Sequence, residues 1–172
     1  MSSELNKLSS YKPEEIPSAK GYRFAIVRSE WNSEITNPLC DGCIKTLVQH
    51  GAKESSIKVF NVPGSFELTF ACSELVKTKN FDAIIAIGCI IEGETRHFEF
   101  IAEAVANGIT QLNVLRTIPV IFGVLTPASQ QQAIDRAGGK FGNKGVEAAI
   151  TAIKMVALKG RIRKRKFKIL EN

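Results

Sequence analysis

Phe81-Asp-Ala-Ile-Ile-Ala-Ile87 runs without a break into Gly88-Cys-Ile-Ile-Glu-Gly-Glu-Thr-Arg-His97. An apolar run of strand length opens into a turn that holds two glycines and ends on one of the chain's 2 histidines. A run that is apolar on both faces predicts a parallel strand covered on both sides. In an open parallel sheet, ligands collect at the carboxyl ends of the strands, where the next helix presents its N-terminal N–H groups. The turn from Gly88 to His97 is therefore the first candidate site.

Three further runs have the same character: Tyr22-Arg-Phe-Ala-Ile-Val27, Ile57-Lys-Val-Phe60 and Pro119-Val-Ile-Phe-Gly-Val-Leu125. Helical stripes lie between them. Leu68, Ala71, Cys72, Leu75 and Val76 form one, Ile101, Ala104, Val105, Gly108 and Leu112 another, and Val146, Ala149, Ile150, Ile153 and Ala157 a last. Ser129 with Gln132 is a capping-box signature for a short helix that Gly138-Gly139 would end. Strand and helix alternate three times, and a fourth strand is followed by two helices. That order predicts an α/β protein, a flavodoxin-like three-layer α/β/α sandwich around a four-stranded parallel sheet. The expected division is an N-terminal extension over 1–20, one domain over 21–159 and a basic C-terminal tail over 160–172.

At 172 residues and 44% hydrophobic content, the chain suits one globular domain. No apolar run reaches the roughly 18 to 20 residues of a membrane span. The first twenty residues, with Glu4, Glu14, Glu15, Pro13 and Pro17, resemble neither a signal nor a transit peptide, so the expected location is the cytoplasm. The net charge of +6 is not spread evenly, because residues 159–168 hold seven basic residues and no acid. The remaining Lys and Arg nearly balance the Asp and Glu, so the body is close to neutral and the run reads as a solvated tail with no nucleic-acid role. Cys40-Asp-Gly-Cys43 has redox or zinc spacing, but no second pair follows. Helix residues one turn apart are the reading for that pair, and no metal site is expected.

Residues just beyond each strand meet at one sheet edge in this architecture. After the first strand stand Trp31 and Asn32, after the second Ser65, Phe66 and Glu67, after the third the turn to His97, and after the fourth Thr126-Pro127. Each has a plain reading beside a functional one. Trp31 either packs on the core at the start of a helix or stacks on a flat heterocycle. Asn32 reads first as a helix cap, with a ligand contact as the alternative. Glu67, expected one turn into a helix, complements its dipole or accepts from sugar-like hydroxyls. His97 is structural or moves protons near neutral pH, and Gly93-Glu94-Thr95 with Arg136 suits a phosphate.

These blocks, together with Gln132-Ala-Ile-Asp-Arg-Ala-Gly138 and Gly142-Asn-Lys-Gly-Val-Glu-Ala-Ala149, resemble the 6,7-dimethyl-8-ribityllumazine synthase family over about residues 22–158. The resemblance implies condensation of 5-amino-6-(D-ribitylamino)uracil with 3,4-dihydroxy-2-butanone 4-phosphate, the penultimate step of riboflavin synthesis, with no cofactor. It gives Trp31, Asn32, Ser65, Phe66, Glu67, Cys89, Ile90 and Ile91 to the pyrimidine and its ribityl chain, and Phe122 to closure of the pocket from a neighbouring subunit. Glu94, Thr95, Arg136 and Lys144 fall to the phosphate, and His97 to proton transfer. Glu92 and Glu94 depart from the family's pattern, since carboxylates repel a phosphate unless they point away.

By the same resemblance the chain forms pentamers with sites between subunits. The short link from Gly138 to Asn143 favours twelve pentamers in an icosahedral 60-mer, and riboflavin synthase is a possible partner. Rival readings are an archaeal-type riboflavin synthase on the same fold, a nucleic-acid module acting through the basic tail, and an inactive shell that keeps only the architecture.

Overall fold

The structure, a computed structural model, describes residues 11–115 and 118–170. Its elements in chain order are β1 (Phe24–Ser29), α1 (Ser33–Gln49), β2 (Ile57–Val62), α2 (Leu68–Thr78), β3 (Ala83–Cys89) and α3 (His97–Leu115). They continue as β4 (Val120–Leu125), α4 (Gln130–Arg136), β5 (Ala137–Gly139), β6 (Gly142–Asn143) and α5 (Lys144–Leu170). The main sheet has four parallel strands in the order β2-β1-β3-β4. Helices cover both faces, so the expected α/β class and three-layer sandwich are observed.

The opening stretch explains the sheet. Every residue of β3 is buried, because its alternate side chains enter two different cores. Ile85 and Ile87, with Phe24 and Ile26 of β1, join α1 and α5 on one side. Ile84 and Ala86, with Ala25 and Val27, join α2 and α3 on the other. Each large aliphatic side chain fully buried in this way contributes about 1.5–3 kcal/mol. An edge strand has no such need: in β2 only Ile57 and Val62 at the two ends are buried.

The strand order fixes where a ligand can sit. From β1 the chain leaves through α1 to β2, and from β3 it leaves through α3 to β4 on the opposite face of the sheet. The loops after β1 and β3 therefore diverge between adjacent strands. This is the switch point at which α/β sheets open a crevice.

Three details differ from the reading of the sequence. Residues 11–20 were expected outside the fold, but Ile16 and Ala19 are buried in the α1–α5 core and the Ala19 N–H donates to the His50 carbonyl at 2.8 Å. Residues 1–10 of that extension lie outside the described residues. Gly138-Gly139 does end α4, but leads into the antiparallel β5–β6 hairpin, with Gly138 at φ 122° and Gly142 at φ 87°. The basic stretch is helical, because α5 runs through it to Leu170, and residues 171–172 lie outside the described residues. Lys and Arg are good helix formers, and Gly160 costs only about 1 kcal/mol against Ala. Among the described residues, no helix is long and apolar enough to cross a membrane.

Candidate active site

The loop after β1 is stitched to the end of β2, with Glu30 N–H donating to the Val62 carbonyl at 2.8 Å and Trp31 N–H to the Pro63 carbonyl at 3.0 Å. The core-packing reading of Trp31 fails here, since the side chain is 73% exposed. Asn32 is not the expected side-chain cap either. It adopts a left-handed backbone, φ 59°, and makes no side-chain cap bond. Its Nδ2 donates instead to the Cys89 carbonyl at 3.0 Å, tying the β1 loop to the end of β3 across the switch point.

Ser65, after β2, is only 7% exposed, and its Oγ has no hydrogen-bond partner. It lies against Gly88, where a Cβ would stand 2.6 Å from that Oγ and 3.0 Å from Leu68 Cδ1. The glycine in the opening stretch is thus needed for the close approach of the two loops. Glu67 stands just before α2 rather than one turn into it, and its Oε2 accepts from the Gly64 N–H at 2.9 Å. Phe66 beside it is 55% exposed.

After β3 the chain stays pinned to the end of β4. Ile90 N–H donates to the Leu125 carbonyl at 2.8 Å, and Glu92 N–H to the Pro127 carbonyl at 3.0 Å. From Gly93 to His97 it is exposed, and α3 starts at His97. The guanidinium of Arg96 is engaged by Glu99, with Nε 2.9 Å from Oε2. Burial, with a smaller effect from Glu34, pushes the Cys89 thiol up to about 12, so it stays protonated and unreactive. Glu34 itself lies below the usual carboxylate range because its own backbone N–H and the Gln130 amide hydrogen-bond it.

These three loops enclose a cavity of about 580 Å³. From the first two loops Trp31, Asn32, Ser65, Phe66 and Glu67 line it; from the third, Cys89, Ile90, Ile91, Thr95 and His97. Gly64, Gly93, Phe98 and Ile101 complete the wall. Phe98 and Ile101 escaped the sequence reading as site residues because a helix stripe gives no sign of which apolar residue ends at a cavity.

Four candidates do not line this cavity. Glu94 is exposed in the turn. Arg136 ends α4 with its guanidinium carbon 5.0 Å from the Phe141 ring centroid. Phe122 and Lys144 line a separate groove of about 530 Å³ between α3 and α5, beside the free edge of β4. Among the described residues no three His, Cys, Asp or Glu side chains gather as metal ligands. Cys40 and Cys43 are both buried in α1, where desolvation raises both thiols.

The sequence model of the 6,7-dimethyl-8-ribityllumazine synthases matches residues 21–160. The chain belongs to this family. The lumazine synthase of Phocaeicola vulgatus is 50% identical over 164 residues, covering 95% of this chain and 98% of the relative. That of Porphyromonas gingivalis is 51% identical over 158 residues, covering 92% and 98%. That of Cytophaga hutchinsonii is 54% identical over 157 residues, covering 91% and 98%. As a lumazine synthase family member the chain is an enzyme, a transferase of riboflavin biosynthesis. The cavity lies at the switch point, where open α/β sheets bind ligands.

Proposed function

We propose that the chain condenses 5-amino-6-(D-ribitylamino)uracil with 3,4-dihydroxy-2-butanone 4-phosphate to 6,7-dimethyl-8-ribityllumazine, with the switch-point cavity as its site. The observation that carries this reading is the convergence there of an exposed tryptophan, a half-buried carboxylate and a buried hydroxyl without a partner. Trp31 offers a face for a flat pyrimidine, and Glu67 an acceptor for ribityl hydroxyls. Ser65 Oγ, already desolvated, gains a full hydrogen bond from a ligand and loses none. At the other end, Thr95 and the N-terminus of α3 suit a phosphate.

The reaction needs a carbon–nitrogen bond, proton transfers and a leaving anion. The 5-amino nitrogen attacks the ketone carbon, and water leaves to give an imine. Loss of a proton from the carbon skeleton then lets the phosphate depart, and ring closure expels a second water. His97, at the first residue of α3 and open to the cavity, is suited to move those protons. Much of the acceleration comes from holding two reactive molecules together, which no single side chain supplies.

Phe122, Arg136 and Lys144 enter this reading from a second copy of the chain. Phe122 is 36% exposed and shares its groove with Lys144, while Phe66, Phe70 and Phe100 are exposed on the α2–α3 side. Two unlike faces with exposed aromatics suit a head-to-tail ring, the symmetry of a pentamer. Twelve such rings in a shell and a cytoplasmic location belong to the same proposal, and sedimentation separates five copies from sixty. Glu94, outside the cavity lining, leaves Gly93 and Thr95 to face the phosphate.

Incubating the purified protein with both substrates tests the assignment. Lumazine absorbance is expected to rise with release of one phosphate per product. Absence of both from a folded, assembled protein contradicts it.

A further inference from the structure

Asn143 closes the β5–β6 hairpin immediately before α5, and its side chain joins three elements. Oδ1 accepts from the Gly145 N–H at 2.8 Å and the Val146 N–H at 3.3 Å, capping the first turn of α5. Nδ2 donates to the Pro38 carbonyl of α1 at 2.9 Å and to the Ala137 carbonyl of β5 at 3.3 Å. The seat is shaped for this amide. A Cβ on Gly42 of α1 would stand 2.7 Å from Asn143 Oδ1, and a Cβ on Gly145 would stand 1.8 Å from the Leu39 carbonyl oxygen. Glycine at both positions is what lets the hairpin close onto α1 this tightly.

The clamped backbone carries two cations. Arg136 immediately precedes Ala137, whose carbonyl Asn143 holds, and Lys144 follows Asn143 directly. Among the described residues each is also braced by near neighbours in the chain. Arg136 lies over Phe141 and donates from Nη1 to the Gln132 carbonyl at 3.3 Å, and Lys144 Nζ is 2.6 Å from Glu147 Oε2.

We propose that Asn143 is a positioning residue: by locking the hairpin to α1 it sets where Arg136 and Lys144 stand, and so governs affinity for the phosphate-bearing substrate without touching it. This rests on the reading above that both cations bind the phosphate. It adds Asn143, and the seat formed for it with Gly42 and Gly145, to the residues that act on the phosphate.

Asn143→Asp separates the two jobs of the side chain. A carboxylate still accepts from Gly145 and Val146, and a negative charge suits a helix N-terminus. It has no donor for Pro38 and Ala137, however, and sets a charge against their carbonyl oxygens. In the assembled full-length enzyme, KM for the butanone phosphate and the inhibition constant of inorganic phosphate are expected to rise about tenfold. KM for the pyrimidine is expected to stay within about twofold, since Trp31, Ser65 and Glu67 lie on other loops. Gly42→Ala disturbs the same seat from the α1 side and is expected to give the same split. The double variant then loses less than the sum of the two. Unchanged phosphate affinity in the folded variants, or equal losses for both substrates, overturns the proposal. If Asn143→Asp does not assemble, Gly42→Ala decides by the same readout. A wild-type protein that makes no lumazine overturns the functional reading instead, while titration with inorganic phosphate still tests Asn143.

Discussion

His97 opens α3 and lines the cavity together with Thr95, two residues before it. General acid–base catalysis by one side chain supplies part of the acceleration, and substrate positioning supplies another. His97→Ala is therefore expected to lower kcat about a hundredfold and leave turnover measurable. Steady-state kinetics on protein with an unchanged circular dichroism spectrum check this, and complete loss contradicts it. Ser65→Ala removes a hydroxyl that makes no bond within the protein. Its denaturation midpoint should equal or exceed that of the wild type, while KM for the pyrimidine rises about tenfold through loss of one ligand hydrogen bond. The buried thiols give a pH dependence of stability. Burial raises Cys72 from its ordinary 9.0 to about 12. Above pH 9 the unfolded chain binds fewer protons at this site than the folded one, so stability is intact below pH 9 and falls as pH rises toward 12. The slope is at most about 1.4 kcal/mol per pH unit for each such thiol. Urea denaturation at pH 8 and pH 10.5 should show a shallower fall for Cys72→Ala than for the wild type. A steeper or equal fall excludes the thiol as a source. Residue types were readable in advance, but Asn32 shows where that stops. An asparagine ahead of a helix reads as a cap, and only the positive φ turns its amide toward Cys89 instead.

At the scale of elements, α5 has two halves. Ala148, Ala149, Ile150, Ala152, Ile153 and Val156 are in the core against α1 and the sheet, whereas the described side chains from Arg161 to Arg163 are exposed. The helix runs away from the strand ends that form the cavity. Lys159 near its far end feels Asp82, which precedes β3, and burial together with Arg163 still holds its pKa below the usual lysine value. Truncation after Arg163 is thus expected to leave kcat and both KM values within about twofold, since the lost residues lie beyond the packed half. Loss of activity from a stably assembled truncation contradicts this. The apolar periodicities of α2, α3 and α5 were legible because each repeats over several turns. The β5–β6 hairpin was not, since three residues paired with two leave no period to detect, and its tie to α1 through Asn143 and Pro38 joins residues far apart in the chain. The helical form of residues 160–170 was not legible for a different reason: Ile162, Phe167, Ile169 and Leu170, scattered among the basic residues, make no stripe sustained over several turns, although nothing there forbids a helix.

For the whole molecule, the proposal that the site is shared between copies can be tested without knowing the size of the assembly. Glu67→Ala removes a function from the cavity, and Arg136→Ala one from outside its lining. Each variant alone is expected to lose most activity. Co-assembled from unfolded mixtures, the two place an intact cavity against an intact Arg136 at some interfaces, so activity reappears. A mixture no more active than its components shows that both residues serve one copy's site. The chain by itself determined the α/β class, the strands and main helices, and the family, because apolar period, glycine turns and ordered motifs are local properties of sequence. It also named most residues of the cavity, since parallel strands bring their ends to one edge. Only the tertiary structure decided which candidates meet within one copy. Strand order placed the switch point between β1 and β3, the bond from Asn32 to Cys89 ties its two loops together, and Phe122, Arg136 and Lys144 stand outside the cavity lining. Such relations depend on distances between segments far apart in the chain, and no local pattern encodes them.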